Sequence, residues 1–165
     1  MEEIAAAAGV TKPLLYQHFS SKRALYLELI DDVTERLIAA LAQAAVEART
    51  PRERVEAGMR AYFGFVLDNR AAVRMLYNAP HDEELARGLR SLQSAITTFI
   101  APLIDADIDD DHRRLAATAV VGLTEGVTRL WLEERAPSDL HGAELLAAQV
   151  AEIAWRGLRG VHRPE

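Results

Sequence analysis

The stretch of residues 4–25, IAAAAGVTKPLLYQHFSSKRAL, decides the fold of the N-terminal end of the chain. Its run of alanines predicts a short helix that ends at Gly9, where the absence of a Cβ atom permits a positive φ. Thr11 suits the N-cap of a second helix because its hydroxyl can accept a free backbone N–H. Pro13 in the first turn removes no intrahelical hydrogen bond. Two short helices joined by a glycine turn predict a helix-turn-helix.

This stretch resembles the DNA-reading segment of the tetracycline-repressor-like (TetR) family of bacterial transcription regulators. The resemblance implies an all-α fold, in which a helix-turn-helix head precedes a helical-bundle body that binds a ligand and dimerises. We therefore expect a partial DNA-binding domain over residues 1–28 and a ligand-binding and dimerisation domain over residues 29–165. The matching residues are Ile4-Ala5, Ala8-Gly9-Val10-Thr11, Leu15-Tyr16, His18-Phe19, Ser21-Lys22 and Leu25.

Members of the family normally carry one more helix before these two, whereas this chain begins at Met1, inside the second helix of the head. A late start codon, a trimmed gene product or a true loss of the helix would each give this beginning. A head of two helices buries little apolar surface and is expected to be marginally stable. The alternative function is therefore a dimeric small-molecule-binding module that has lost DNA binding through the absent first helix.

The second helix of the head carries side chains that can contact DNA. Lysine can meet a guanine edge, leucine a thymine methyl group and glutamine an adenine edge. The competing interpretation is a helical hairpin whose polar residues are only solvated. Contacts with base edges are predicted for Lys12, Leu14 and Gln17. Contacts with phosphates are predicted for Thr11, Tyr16, His18 and Lys22.

Composition narrows the class of protein. Half of the 165 residues are apolar, and few are glycine or proline, which is typical of a helical globular protein. The lack of cysteine excludes disulfides and thiol catalysis and fits a cytoplasmic location. No stretch is long and apolar enough to span a bilayer, so no membrane partner is expected. The net charge of −6 argues against DNA binding, but residues 1–23 carry +1 and the remainder −7. This distribution fits a protein that touches DNA with one end only.

Turn and capping signals divide the rest of the chain into helices. Thr50-Pro51-Arg52-Glu53 has the form of a capping box with proline at the first helical position. Asn69 is expected to cap a short helix, and Pro102 to end or kink a longer one. The predicted helices cover residues 21–48, 51–67, 70–77, 82–102, 112–135 and 139–159.

Aromatic and methionine side chains in the middle helices indicate an apolar cavity. In TetR-like proteins the body usually encloses a pocket, and a ligand bound there changes the spacing of the two heads. Such side chains line ligand pockets, although aromatic residues at helical spacing more often belong to a core. The expected ligand is a small hydrophobic or aromatic molecule. The predicted ligand-binding residues are Met59, Tyr62, Phe63, Met75, Tyr77, Phe99 and Trp131.

The last two helices carry small residues among larger apolar ones. Small residues allow helix backbones to approach closely, either within one chain or between two chains. The resemblance implies that these helices pair across a two-fold axis into a four-helix bundle. A two-fold pair of heads also suits a palindromic operator. The predicted interface residues are Ala119, Gly122, Leu123, Gly126, Val127, Leu130, Leu146, Val150, Ile153, Ala154 and Gly157.

Motifs for catalysis or metal binding are missing from the sequence. The alternating carboxylates Asp105, Asp107 and Asp109 resemble the start of a calcium loop, but Asp110 stands where glycine is needed and Ala116 where glutamate is needed. The five histidines show no paired metal spacing. We therefore expect no metal, no cofactor and no enzyme. The sequence indicates a ligand-responsive regulator, acting as a homodimeric repressor on double-stranded operator DNA.

Overall fold

The computed structural model describes residues 1–78, 82–133 and 139–160. Within these ranges the chain forms eight α-helices, one turn of 3-10 helix and no strand, which confirms the all-α prediction. The elements are α1 (Glu2–Ala7), α2 (Lys12–His18), α3 (Lys22–Glu47), α4 (Pro51–Asp68), α5 (Arg70–Tyr77), α6 (Glu83–Ile100), the 3-10 turn (Ala101–Leu103), α7 (Asp110–Glu133) and α8 (Leu140–Arg159).

Helices α1 and α2 form the predicted helix-turn-helix. Gly9 joins them with a φ of +67°, a backbone conformation that is strained for any residue with a side chain. The hydroxyl of Thr11 accepts a hydrogen bond from the backbone N of Leu14 over 3.4 Å, so it caps α2 as expected. Among the described side chains of this pair, Ala5 and Leu15 are buried. The two helices are therefore held by a small core.

Helix α3 connects the head to the body. It begins after Ser21, whose hydroxyl accepts a hydrogen bond from the N–H of Ala24 over 3.0 Å. Its 26 residues give a rod of about 39 Å. One face of the rod packs along α4 and α6. The buried residues of this face recur at steps of three and four: Tyr26, Ile30, Val33, Leu37 and Leu41.

The largest core cluster lies between α4, α7 and α8. Phe63 of α4 is fully buried, and its ring makes edge-on contacts with Tyr62 and with Trp131. Helix α8 turns a row of alanines towards α4, and these small side chains let the two helices pack closely along their length. The buried alanines are Ala143, Ala147, Ala151 and Ala154.

The capping box at the start of α4 is confirmed. The hydroxyl of Thr50 accepts a hydrogen bond from the N–H of Glu53 over 3.1 Å, and the carboxylate of Glu53 accepts one from the N–H of Thr50 over 3.3 Å. Asp139 likewise caps α8, by accepting a hydrogen bond from the N–H of Gly142 over 2.8 Å. The predicted turn at residues 136–138 lies outside the described residues.

One predicted cap and one predicted helix start differ from the structure. Asn69 does not cap α5 with its side chain, because its amide group donates to the carbonyl of Phe65 over 2.8 Å and so closes the end of α4. Helix α7 begins at Asp110 rather than at His112, since the carboxylate of Asp109 accepts a hydrogen bond from the N–H of His112 over 2.8 Å. Both cases follow from short polar side chains that compete for backbone groups at helix ends.

In the ranges that the structure describes, no helix is both long and apolar enough to cross a membrane. The same ranges contain no group of three or more side chains placed to hold a metal ion.

Candidate DNA-reading head and ligand cavity

The side chains predicted to contact DNA lie on α2 or directly beside it. All seven are exposed: Thr11, Lys12, Leu14, Tyr16, Gln17, His18 and Lys22. Leu14 and Tyr16 keep 41% and 46% of their surface exposed, although both have large apolar groups. Exposed apolar groups beside cationic ones suit contact with a partner surface that has both apolar and phosphate features.

The two lysines of the head make only weak contacts within the chain. The ammonium group of Lys12 lies 3.4 Å from the carboxylate of Glu2, in an ion pair exposed to solvent on both sides. The ammonium group of Lys22 lies 5.8 Å from the centre of the Tyr26 ring. Exposed ion pairs contribute at most about 1 kcal/mol, so Lys12 can exchange its carboxylate partner for a phosphate at little cost.

A cavity of about 340 Å³ runs through the body. It extends along α6 from Leu89 to Ile100, a span of about 17 Å at the helical rise per residue, and reaches Leu103 in the 3-10 turn. Helices α3, α4, α5, α7 and α8 supply the other walls. Most of the wall is apolar and includes Leu37, Leu41, Leu92, Ile96, Phe99 and Ile100.

The structure brings together four of the seven predicted ligand-binding residues. Met59, Tyr62, Tyr77 and Phe99 line the cavity. Phe63 and Trp131 instead pack against each other in the core, where each is 5% exposed or less. Met75 is outside the cavity wall. The cavity gives no support to these last three as ligand-binding residues, because Phe63 and Trp131 are enclosed by other side chains and Met75, which is partly buried, does not line it.

A polar cluster interrupts the apolar wall near the middle of α6. The amide of Gln93 donates to both carboxylate oxygens of Glu125, over 2.8 and 2.9 Å. The hydroxyl of Tyr77 donates to the backbone carbonyl of Glu125 over 3.4 Å, and the hydroxyls of Tyr62 and Thr128 lie 3.1 Å apart. Sequence reasoning missed Gln93 and Glu125, since a single polar residue on a helical stripe gives no signal that its partner lies 32 positions away.

The two tyrosines of this cluster titrate above the usual range. Burial raises the pKa of the Tyr62 phenol. Burial also raises the pKa of Tyr77, and the neighbouring Tyr62 and the carboxylate of Glu125 raise it further. A buried phenolate would lack solvation and would face another negative charge. Both phenols therefore keep their protons to a higher pH than a solvent-exposed tyrosine does.

The residues predicted at the dimer interface divide between surface and core. Val150 and Ala154 are only 2% and 5% exposed, because they face α4 within the same chain. Their burial gives no support to an interface role for these two residues, since this side of α8 packs against α4. The exposed residues of the predicted set are Ala119, Gly122, Gly126, Leu130, Ile153 and Gly157. The partly buried ones are Leu123, Val127 and Leu146.

Comparison with protein families agrees with this arrangement of head and body. Residues 1–29 match the family described as bacterial regulatory proteins, tetR family, and residues 51–156 match the tetracyclin repressor-like C-terminal domain. The chain belongs to the TetR family. Its relatives are transcriptional regulators and not enzymes, so the chain is a DNA-binding transcriptional regulator of the ligand-responsive TetR type.

Two curated relatives illustrate the range of the match. The HTH-type transcriptional activator FasR of Mycolicibacterium smegmatis is 30% identical over 165 residues, which cover 98% of this chain and 74% of that protein. The HTH-type transcriptional regulator BetI of Rhizobium meliloti is 34% identical over 131 residues, which cover 74% of this chain and 64% of that protein.

Solved structures share the fold over nearly the whole chain. A TetR-like transcriptional regulator from Rhodococcus sp. RHA1 superposes with a TM-score of 0.71 at 28% identity, covering 96% of this chain and 83% of that one. FadR from Bacillus subtilis, solved in complex with stearoyl-CoA, gives a TM-score of 0.76 at 18% identity, covering 98% and 88%.

Proposed function

We propose that this TetR-family chain acts as a homodimer on a palindromic operator, and that a ligand with a long apolar tail controls its affinity for DNA. Residues 1–28 form the DNA-binding part, and residues 29–165 form the ligand-binding and dimerisation part. The observation that carries the proposal is the apolar cavity of about 340 Å³, whose wall includes Leu37 and Leu41 of α3. The same helix leads to the head, so one rod touches both the ligand space and the DNA-reading unit.

In the head, base edges meet Lys12, Leu14 and Gln17, while Thr11, Tyr16, His18 and Lys22 meet phosphates. Exposure of all seven side chains supports these roles. Base contacts set the preference for sequence, whereas phosphate contacts set the position of the head and the salt dependence of binding.

The dimer forms through the outer faces of α7 and α8. Support comes from their exposed large apolar residues, which a lone chain would leave in water. These are Leu115, Leu130, Leu145 and Ile153. Glycines at positions 122, 126 and 157 of the same helices let two backbones approach closely. A two-fold axis between the chains then holds two heads at the separation of successive major grooves.

The ligand places its tail along α6. A mostly apolar wall over about 17 Å suits an extended hydrocarbon chain. The similar fold of FadR from Bacillus subtilis holds stearoyl-CoA, which is a ligand of that kind. Occupation selects the body conformation in which the heads no longer fit the operator, by as much as the ligand prefers that conformation. The proposed effect of the DNA-bound state is repression.

The DNA-binding part is tested by fluorescence anisotropy on duplexes selected from a random pool, over a range of salt. Lys22→Ala should reduce the salt slope by about one unit, and Gln17→Ala should relax the preference at one operator position by about tenfold. Arg60→Ala, an exposed change on α4, is the control and should alter neither quantity. An unchanged slope in the Lys22 variant removes it from phosphate contact.

The ligand part is tested by filling the cavity. Gly58 lines the cavity, and a Cβ added there meets no atom within 4 Å. Gly58→Leu should abolish the response of DNA affinity to palmitoyl-CoA while leaving DNA binding intact. Gly58→Ala is the matched control and should retain most of the response. An unaltered response in the leucine variant would show that the ligand binds elsewhere.

A further inference from the structure

A second groove runs along the outer side of the seam between α6 and α7. It is lined by the α6 residues Arg90, Gln93, Ser94, Thr97 and Thr98, by the turn residues Ala101 and Pro102, and by the α7 residues Asp110, Arg113, Arg114 and Thr118. From Arg90 to Ala101 the helical rise gives a length of about 16 Å. Neither the motif in the head nor the apolar cavity accounts for this surface.

The groove is cationic in a chain whose net charge is −6. Three guanidinium groups, those of Arg90, Arg113 and Arg114, face the single carboxylate of Asp110. Among the described residues, the guanidinium groups of Arg90 and Arg114 form no ion pair or hydrogen bond. Two exposed cations that the fold does not use are therefore available to an anion.

Arg113 holds the end of the groove in shape and keeps its charge. Its guanidinium donates to the carbonyls of Ile104, Ala106 and Ile108, the last two over 3.0 and 3.1 Å. Because these acceptors are neutral, the positive charge is not cancelled. The neighbouring hydroxyls of Ser94, Thr97 and Thr98 add donors to the same wall. Guanidinium groups beside hydroxyls are the donors that phosphate oxygens accept best.

Gln93 lies at the boundary between this groove and the apolar cavity. It lines both spaces, and its amide is held on the carboxylate of Glu125, which belongs to the cavity wall. The hydrogen-bonded pair of Gln93 and Glu125 thus lies between the apolar cavity and the cationic groove. A ligand that occupies both spaces needs an apolar tail in the cavity and an anionic group in the groove.

We propose that the groove between α6 and α7 binds the phosphorylated headgroup of the ligand whose apolar tail fills the cavity, with Gln93 and Glu125 at the junction. The proposal rests on the proposed ligand response and adds to it the chemistry of the headgroup and the residues that recognise it. Arg90 and Arg114 are the recognising cations, and Arg113 positions the loop beneath them.

The far end of the cavity offers the competing position for a headgroup. Arg54, Arg159 and Asp105 line it. There the guanidinium of Arg54 donates to the carbonyl of Leu103 over 3.2 Å, and that of Arg159 lies 5.9 Å from the centre of the Trp155 ring. These two cations are already in contact with the fold, whereas Arg90 and Arg114 are not, and this difference favours the groove.

The test measures dissociation constants by isothermal titration calorimetry with three probes that share one tail. Palmitoyl-CoA and 1-palmitoyl lysophosphatidic acid carry phosphate, whereas palmitate does not. The variants are Arg90→Gln/Arg114→Gln, the charge-matched control Arg49→Gln/Arg60→Gln at exposed positions that line neither the groove nor the cavity, and Arg159→Gln at the far end. Circular dichroism checks that each variant is folded.

Both phosphorylated probes, or one of them, should bind the unmodified chain more tightly than palmitate. The groove variant should weaken the phosphorylated probes by about tenfold to a hundredfold, the effect of losing one or two charge-assisted contacts, and leave palmitate unchanged. The control and Arg159→Gln should keep the preference. Which phosphorylated probe binds more tightly identifies the source of the phosphate.

Two results overturn the assignment of the headgroup while leaving the proposed function in place. One is equal binding of palmitate and the phosphorylated probes to the unmodified chain. The other is loss of the phosphate preference in Arg159→Gln and not in the groove variant. If no probe binds the unmodified chain, the proposed ligand class is itself wrong, and the groove loses its role with it.

Discussion

Helices α2 and α4 both follow a threonine cap and carry a proline in their first turn. In the head, the hydroxyl of Thr11 makes one hydrogen bond of 3.4 Å, and the seven-residue helix buries Leu15. In the body, Thr50 and Glu53 cap each other, and the 18-residue helix buries Met59, Phe63 and Val66. The same start signal thus leads to a helix that displays its side chains and to one that encloses them.

This difference determines how far the function of each region can be predicted from the sequence. In the proposed function the head acts through exposed side chains, so its motif can be recognised directly in the sequence. In the proposed function the body acts through the space that its enclosed side chains leave between them, and that space depends on how six helices pack. A substitution should therefore act on DNA binding in the head and on folding or ligand binding in the body.

The largest effect expected from this comparison is that of Phe63→Ala. Phe63 is fully buried between Tyr62 and Trp131, so removing its ring should lower the free energy of unfolding by about 3–5 kcal/mol. Urea denaturation measures it. Tyr16→Ala in the head is the control and should change stability by less than about 0.5 kcal/mol. A similar loss of stability in the two variants would contradict the distinction between an exposed head and an enclosed body.

The next effect concerns alkaline pH and the buried tyrosines of the body. Because burial raises the pKa of both Tyr62 and Tyr77, the folded chain keeps their protons to a higher pH than the unfolded chain does. Below about pH 10, the pKa of an unfolded tyrosine, the two phenols do not lower the free energy of unfolding. Above that pH the free energy of unfolding falls by up to about 1.4 kcal/mol per pH unit for each phenol.

Urea denaturation between pH 9 and pH 11 measures this loss. The Tyr62→Phe/Tyr77→Phe variant should show a shallower decline above pH 10 than the unmodified chain. Parallel declines would mean that other groups cause the alkaline loss of stability.

A smaller effect separates the two threonine caps. Thr50→Ala removes one side of a reciprocal cap and should lower the free energy of unfolding by about 1 kcal/mol. Thr11→Ala removes a single long hydrogen bond from a short helix at the edge of the molecule, and should scarcely move the main unfolding transition. It should instead raise the exchange rate of the Leu14 amide hydrogen. Hydrogen exchange and urea denaturation of both variants measure the contrast, and equal shifts of the main transition would contradict it.

The smallest effect concerns two glycines. A Cβ on Gly64 meets no atom within 4 Å, so Gly64→Ala should stabilise the chain by about 0.5–1 kcal/mol through helix propensity. A Cβ on Gly88 would lie 3.1 Å from Cδ1 of Ile30 and 3.3 Å from Cδ2 of Leu27. Gly88→Ala should therefore gain less, because the ends of the Ile30 and Leu27 side chains must shift to make room for the added methyl group. Thermal unfolding of both variants compares them, and an equal gain would show that this contact is loose.

The caps and the helices could be predicted from the sequence because their signals are local. Thr11 and Thr50 each cap the helix that follows, as their hydroxyl and their position indicate. Asn69 shows the limit of this reasoning. Its side chain can bond backbone groups on either side, and the structure uses the preceding one.

The cavity could be predicted only in part. Helical spacing tells which side chains turn inward, and it does not tell which of them meet a neighbour and which face a gap. Phe63 and Tyr62 are adjacent aromatic residues of α4, yet the first lies in the core and the second on the cavity wall. Likewise, alanine and valine on α8 suit a partner helix of either chain, and Val150 faces its own α4.

The length of α3 determines how far a tilt of this helix at the cavity moves the head. Leu41 on the cavity wall and Lys22 at the start of the helix are separated by about 29 Å at the helical rise per residue. A tilt of about 10° around the cavity end would therefore carry the head end through about 5 Å. That displacement exceeds the length of a hydrogen bond. In the proposed dimer, a small change in the tilt of α3 at the cavity can thus decide whether both heads reach their grooves.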